Sequence, residues 1–424
     1  MKLNLFYGCE GLEINLDEKN IFEIVESKYQ APLLNPKEEL VRSFKNPIGT
    51  KPLNEQIKKA QKICIVISDS TRAVPTKLIL EVLLRELENY LIKKDQITIL
   101  VATGLHRPNL GEELENLVGK EVMDNYNIVN HYARQRETCE FIGKTKRGTP
   151  VIINKVYLES DFRILTGLIE PHFMAGFSGG RKAICPGISY MDMFKHFHGP
   201  KILESPFASN AVLDNNPFHE ESTEIAKMAG VNFIINVTIN KNKEITGVFS
   251  GDLEEAFYEG ASFCKKFNLV KIKGEADIVI TSGGGTPLDA TLYQAVKGMV
   301  AAMPAVKEGG MIIIASECSE EIGSKEFIDL IVNEKDLDGF INKIKNPDFF
   351  VIDQWELEEL VKARKKAEIY LYSPCLIKSK YKIPEETLKL VNSIDEALEI
   401  GFKKYGSDAK VTVIPEGPYT IPFL

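Results

Sequence analysis

Between residues 63 and 102 the spacing of apolar positions changes period twice. ICIVIS (63–68) is a short β-rich apolar run, residues 76–93 repeat apolar positions at helical spacing, and ITILVA (97–102) returns to a short apolar run. Strand, turn at 69–75, helix and strand make a βαβ crossover, the unit of parallel sheets. The same alternation fills the first two-thirds of the chain. Further strands are expected at 126–130, 163–169 and 233–239, the last forming a hairpin with 244–249 across 240–243. A helix follows from Asp252, a suitable N-cap, to about Phe267.

A second series begins at 276–282, with strands at 311–315 and 368–372 and helices at 287–302, 326–331, 353–367 and 395–404. The fold class is therefore α/β: two domains, each a mostly parallel sheet flanked by helices, with the active site in the cleft between them. The boundary falls in 268–275, giving residues 1–270 and 271–407. The tail 408–424, a strand and then a proline-rich stretch, is a candidate to rejoin the first domain.

Composition narrows the class. A chain of 424 residues implies two or three compact units, and 44% hydrophobic with 26% charged residues excludes a disordered chain and a disulfide-stapled miniprotein. The formal charge of -8 removes any bulk electrostatic case for nucleic acid or an anionic membrane, so an anionic ligand needs a local site. No run of eighteen apolar residues occurs, and MKLNLFYGCEGLEINLD alternates like a strand instead of forming a basic and then apolar leader, so a cytoplasmic protein is expected. Its seven cysteines are odd in number and contain no C-x-x-C pair, which indicates neither a disulfide framework nor a cysteine zinc site.

Candidate chemistry gathers at strand ends, where open α/β sheets bind ligands. ISDSTR (67–72), ATGLHRP (102–108), GLIEPHFMAGFSGGRKAICPG (167–187) and FKHFHGP (194–200) hold His106, His172, His196 and His198. Asp69 is either an Asx-turn or helix-cap residue or part of a site; Arg72 is either a solvated charge or a fork for a substrate carboxylate. His106 and His172 fall on loops, suited to acid and base work. FSGGRK lacks the G-x-x-x-x-G-K-[ST] spacing, which disfavours a P-loop. Gly176, Gly179 and Gly180 allow close approach of backbone to a bulky ligand, and Lys182 beside Arg181 is placed for a lowered pKa and covalent attachment. TSGGGTPLD (281–289) is strand, glycine turn and helix start, able to bind an anion. His196-x-His198 lacks the third side chain a zinc enzyme needs, so a metal here would take most of its ligands from elsewhere.

Taken in order and spacing, ISDSTR, ATGLHRP, EPHFMAGFSGGRKAICPG, the H-x-H of FKHFHGP, SGGGTPLD and YQAVKG, with Trp355 as the single tryptophan, resemble the nickel-dependent lactate racemase family over nearly the whole chain. The resemblance implies two cofactors, nickel and a nickel-pincer nucleotide (pyridinium-3,5-bisthiocarboxylic acid mononucleotide) attached covalently at Lys182, with His198 as the nickel ligand. It implies His106 and His172 as the proton-transfer pair, Arg72 and Lys297 as holders of the substrate carboxylate, and Tyr293, Gln294 and Trp355 as pocket walls. Asp69, Gly179 and Gly180 would lie against the cofactor. The implied reaction interconverts D- and L-lactate by reversible hydride transfer through pyruvate. The implied partners are a small 2-hydroxy acid and the enzymes that make the cofactor, without nucleic acid or membrane. A nickel carried by a three-donor pincer needs one imidazole to complete a square plane, which accounts for the sparse protein metal motif. An unperturbed imidazole near pKa ~6.5 can serve as acid or base at neutral pH, so neither histidine requires an extreme shift. Another 2-hydroxy acid as substrate is the near alternative; a non-catalytic nickel or nucleotide carrier and a zinc hydrolase are the distant ones.

Overall fold

The computed structural model describes residues 1–346 and 348–424. Two six-stranded sheets organise the chain. The first runs Ile245–Gly251, Phe233–Ile239, Phe162–Leu168, Ile63–Ser68, Ile97–Ala102, Asn127–Asn130, parallel except for the Ile245–Gly251 edge. The second runs Lys389–Val391, Ala367–Tyr372, Val306–Ala315, Ala276–Ser282, Val411–Ile414, Ile21–Ile24, parallel throughout.

Local pattern explains the centre of each sheet. Ile63–Val66 are fully buried because helices cover both faces, and such strands read as continuous apolar runs. The helix Thr76–Asn89 turns Ile79, Leu80, Leu83 and Leu87 onto one face of the sheet. It stops four residues before the expected Lys93. The Tyr90 amide closes on the carbonyls of Glu86 and Leu87, and Leu91 takes a left-handed φ of 66°. Asp252 acts at the start of Glu255–Asn268 as expected, accepting from the amides of Glu254 and Glu255. The expected helix at 287–302 is broken: a short turn, Leu288–Ala290, precedes Leu292–Ala302, where the Thr291 hydroxyl accepts from the Gln294 amide. Leu337–Ile344 and Lys389–Val391 form a helix and a strand that the periodicity did not indicate.

Two segments depart from the expected partition. Ile21–Ile24, counted with residues 1–270, is the edge strand of the second sheet. Val411–Ile414 does not return to the first sheet but fills the gap between Ile21–Ile24 and Ala276–Ser282. The reason is ladder satisfaction: the open side of Ala276–Ser282 needs a partner for its backbone amides and carbonyls, Val411–Ile414 supplies it, and Ile21–Ile24 pairs in turn with the far side of Val411–Ile414. The chain crosses between units after Val25, where the Lys28 amide donates to the Phe267 carbonyl.

This topology sets the site. Ile63–Ser68 and Ala276–Ser282 each have neighbours on both sides reached by connections of opposite sense, so each is a switch point where a crevice opens beyond the strand ends. The two crevices face one another. Among the described residues no helix is long and apolar enough to cross a membrane, and the seven cysteines are free.

Candidate active site

A cavity of about 700 Å³ lies between the two units, lined from the first by residues of the loops after Ile63–Ser68, Ile97–Ala102 and Phe162–Leu168, and from the second by Tyr293, Gln294, Lys297, Trp355 and Glu356. Asp69 is the first residue beyond its strand. One carboxylate oxygen accepts from the Thr71 amide (3.2 Å) and hydroxyl (2.6 Å), closing an Asx turn, and the other sits 2.6 Å from His106 Nδ1. The Asx-turn reading of Asp69 is met, and the same carboxylate reaches a second candidate residue, His106. Burial opposes its ionisation, but His106, Arg72 and the Thr71 hydroxyl outweigh that and hold the carboxyl below its usual range. The pair fixes Nδ1 of His106 on Asp69 and leaves Nε2 without a hydrogen-bond partner among the described residues. Arg72 makes only weak contacts with Thr71, at 3.4 and 3.5 Å, so its guanidinium fork is free.

His172 is held differently. Its Nδ1 accepts from the amides of Met174 and Ala175, both at 3.2 Å, so the neutral ring carries its proton on Nε2, 2.7 Å from Lys182 Nζ. Burial drives the pKa of His172 well below that of free imidazole, with Lys182, Lys297 and Arg72 adding to the shift. The mechanism requires no such shift, and the fold imposes one because burial disfavours the charged ring and no carboxylate backs it as Asp69 backs His106. Lys182 is likewise pushed well down, first by burial and then by Arg72, Arg181 and Lys297, and the hydrogen on His172 Nε2 faces its Nζ, which can accept it only through an amine lone pair. Arg181 staples its loop by donating to the carbonyls of Gly179 and Ala175. Gly179 has φ 81°, and a Cβ there would come within 2.8 Å of Asn236 Oδ1.

His198 lies in an aromatic cage of Phe194, Phe197, Phe218 and Trp355, with ring centroids 4.7 to 5.4 Å away. Burial lowers its pKa well below normal, and its Nδ1 is buried without a hydrogen-bond partner. Such an imidazole is neutral and uncommitted, the state a soft metal requires. Among the described residues no group of three or more His, Cys, Asp and Glu side chains is placed to hold a metal. The chain thus supplies isolated donors beside a deprotonated lysine, a set that fits a metal whose other ligands arrive on an attached organic group and does not fit a zinc hydrolase.

Comparison with known proteins accords with this geometry. A family model described as the lactate racemase N-terminal domain matches residues 7–210, and one described as the lactate racemase C-terminal domain matches residues 271–421. This chain belongs to the lactate racemase family. The family's members are isomerases, and so is this protein. A lactate racemase of Thermoanaerobacterium thermosaccharolyticum is 37% identical over 97% of this chain and 96% of its own length, and one of Lactiplantibacillus plantarum is 37% identical over 91% and 90%. The solved lactate racemase apoprotein of T. thermosaccharolyticum superposes with a TM-score of 0.92, at 35% identity, over all of both chains.

Within this racemase-family fold, Asp69, Arg72, His106, His172, Gly179, Lys182, His198, Tyr293, Gln294, Lys297 and Trp355 line one cavity. Gly180 does not: its amide donates to Asn236 and a Cβ would meet Phe257. His196, two residues before His198 in the short helix Phe194–Phe197, also falls outside the lining. Trp355 Nε1 donates to the Tyr293 hydroxyl at 2.9 Å, joining two pocket walls. Glu356 and Asp353 line the cavity without having been singled out; a glutamate in a helix with charged neighbours carries no sequence signal for burial.

His131 shows the opposite case. It is buried, its Nε2 hydrogen donates to the Ser189 carbonyl, Nδ1 accepts from Asn154, and burial lowers its pKa to about 4. A folded-state value below the unfolded ~6.5 means the unfolded chain binds more protons between those limits, so stability falls as pH drops through that window. His131 alone is expected to cost about 3 kcal/mol between pH 7 and pH 4. Urea unfolding of native protein and His131→Gln at both pH values measures it; equal acid losses in the two would refute the assignment.

Proposed function

We propose that this protein interconverts D- and L-lactate by reversible oxidation at C2, with a nickel-pincer nucleotide tethered at Lys182 and ligated through nickel by His198. When bound, that group supplies a reversible acceptor for hydride. The observation that carries the reading is the convergence, in one cavity, of a buried lysine whose charged form is disfavoured, an uncommitted imidazole, two further histidines and the side chains of Arg72 and Lys297.

The remaining steps belong to the chain's own groups. Arg72 and Lys297, one from each unit, hold the substrate carboxylate and fix the C2 carbon between the histidines. His106 exchanges a proton with the substrate hydroxyl at Nε2, and Asp69 orients its ring and stabilises the imidazolium. His172 serves the opposite enantiomer. An acylated Lys182 nitrogen has no lone pair to accept from Nε2, so attachment frees that nitrogen. To take up a proton there, His172 must give up its bonds from the Met174 and Ala175 amides. Tyr293 and Trp355, joined by their hydrogen bond, close the wall and keep water from the keto intermediate.

The test is production in a host that makes the cofactor, followed by chiral chromatography over 2-hydroxy acids of increasing side-chain size, with intact-mass and nickel analysis. The reading requires a mass adduct on Lys182, bound nickel and fastest turnover with lactate. Preference for a larger acid would favour the near alternative, and cofactor binding without turnover would make the protein a carrier.

A further inference from the structure

We propose that Glu113 is a positioning residue for proton transfer: its carboxylate ties the loop that carries Asp69 to the loop that carries His106, and so sets the contact between those two side chains. This deepens the preceding reading and rests on it, because it takes His106 as an acid–base group.

Asp69 and His106 stand on separate loops, beyond the ends of the adjacent strands Ile63–Ser68 and Ile97–Ala102. The strand ladder ends at the Ser68–Ala102 pair, so it does not fix the spacing of the loops past that point. Their 2.6 Å contact needs a second tie, since a displacement of about 1 Å in a reacting group can cost on the order of 10²-fold in rate. Glu113, in the first turn of Gly111–Val118, reaches both loops. Its Oε1 accepts from the Ser70 hydroxyl and from Arg107 Nη2, both at 3.0 Å, and its Oε2 accepts from Arg107 Nη1 at 2.6 Å and Asn109 Nδ2 at 2.8 Å. Ser70 is the neighbour of Asp69 and Arg107 the neighbour of His106, so one carboxylate holds the residue next to each member of the pair.

Asn109 completes the tie. Its Nδ2 also donates to the Ser70 hydroxyl at 2.8 Å, and its Oδ1 accepts from the Ser70 amide at 3.2 Å. It is buried, and its own backbone is fixed to the next strand, because its amide donates to Asn130 Oδ1 at 2.9 Å and its carbonyl accepts from Asn130 Nδ2 at 3.0 Å. The network therefore spans the ends of three neighbouring strands. Arg107 first, with Asn109 and Ser70 adding, lowers the pKa of Glu113 to about 2, so the tie is ionised at any pH where a histidine exchanges protons. Arg107 and Glu113 keep 62% and 30% of their side-chain surface exposed, so the pair adds little to global stability and its effect lies in placement. Arg107 also lines the cavity, but both ends of its fork are engaged by Glu113, which separates it from Arg72 as a holder of substrate.

The experiment measures kcat and KM for lactate in cofactor-loaded protein, with Glu113→Ala placed in the native and in the Asp69→Asn backgrounds. In the native background kcat should fall about tenfold and KM change less than about threefold. In Asp69→Asn the same substitution should cost less than about threefold in kcat, because the contact it serves is already weakened. Glu113→Gln keeps an oxygen for Arg107 and Asn109 and an amide for Ser70, and should restore kcat to within about threefold of native. A second readout needs no turnover: ¹⁵N spectra of histidine-labelled protein at pH 8, with the His106 signals assigned from His106→Ala, should place its proton on Nδ1 in native protein and Glu113→Gln and on both nitrogens in Glu113→Ala. An undiminished kcat in Glu113→Ala, equal losses in the two backgrounds, a raised KM at constant kcat, no rescue by Glu113→Gln, or an unchanged His106 tautomer in Glu113→Ala overturns the proposal. Should Glu113→Ala not fold, Ser70→Ala cuts the tie from the other loop and takes its place in every comparison. If His106→Ala leaves kcat unchanged, the acid–base reading fails and takes this inference with it. If His106→Ala slows turnover while Glu113→Ala does not, only the inference fails.

Discussion

Lys182→Ala protein should fold, carry no adduct and show no racemisation above the blank, a loss of about 10⁶-fold or more if the native protein accelerates the reaction by an ordinary enzymatic factor. The argument is chemical. Attachment requires an amine with a free lone pair, and Lys182 is held in that state by burial and by the cations Arg72, Arg181 and Lys297 around it. Its Nζ lies 2.7 Å from His172 Nε2 at the edge of the cavity. Lys182→Arg should be as inactive as Lys182→Ala, since a guanidinium stays protonated and does not act as a nucleophile. Intact-mass analysis, nickel content and chiral chromatography on protein from a cofactor-producing host decide the matter together. Native-like turnover in Lys182→Ala would remove the tether from the mechanism.

The second large effect is expected at the Asp69–His106 pair. His106→Ala should lower kcat by about 10² to 10⁴, the usual contribution of a positioned acid–base group. Asp69→Asn keeps the shape of the turn but withdraws the charge that steadies an imidazolium, and should cost about 10². Because Asp69 acts through the ring, the double variant should be no slower than His106→Ala alone. Additive losses would mean that Asp69 does something other than orient and stabilise His106. Thermal unfolding of Asp69→Asn controls for the Asx turn, in which the Thr71 amide and hydroxyl keep an oxygen acceptor.

The central strands were legible because burial on both faces leaves an unbroken apolar run, as in Ile63–Ser68 and Ala276–Ser282. The hairpin and the Asp252 cap were legible for a similar reason, since each depends on residues only a few positions apart. The edge strands were not. Ile21–Ile24 is short and partly exposed, and its partner lies nearly four hundred residues along the chain. Within the site, residue type and loop position pointed to His106, His172, Lys182 and His198. Burial and pairing made them different from one another: a carboxylate behind His106, two amides against His172, an aromatic cage around His198.

Residue order and periodicity alone determined that this chain is an α/β protein with its candidate reactive groups at strand ends, because those properties come from interactions within a few residues. Which strands complete the second sheet, which histidine has an acid behind it, and that Glu356 shares a cavity with Lys297 were decided only on folding. Each depends on hydrogen bonding and desolvation between segments far apart in the chain, and neither quantity exists until those segments meet.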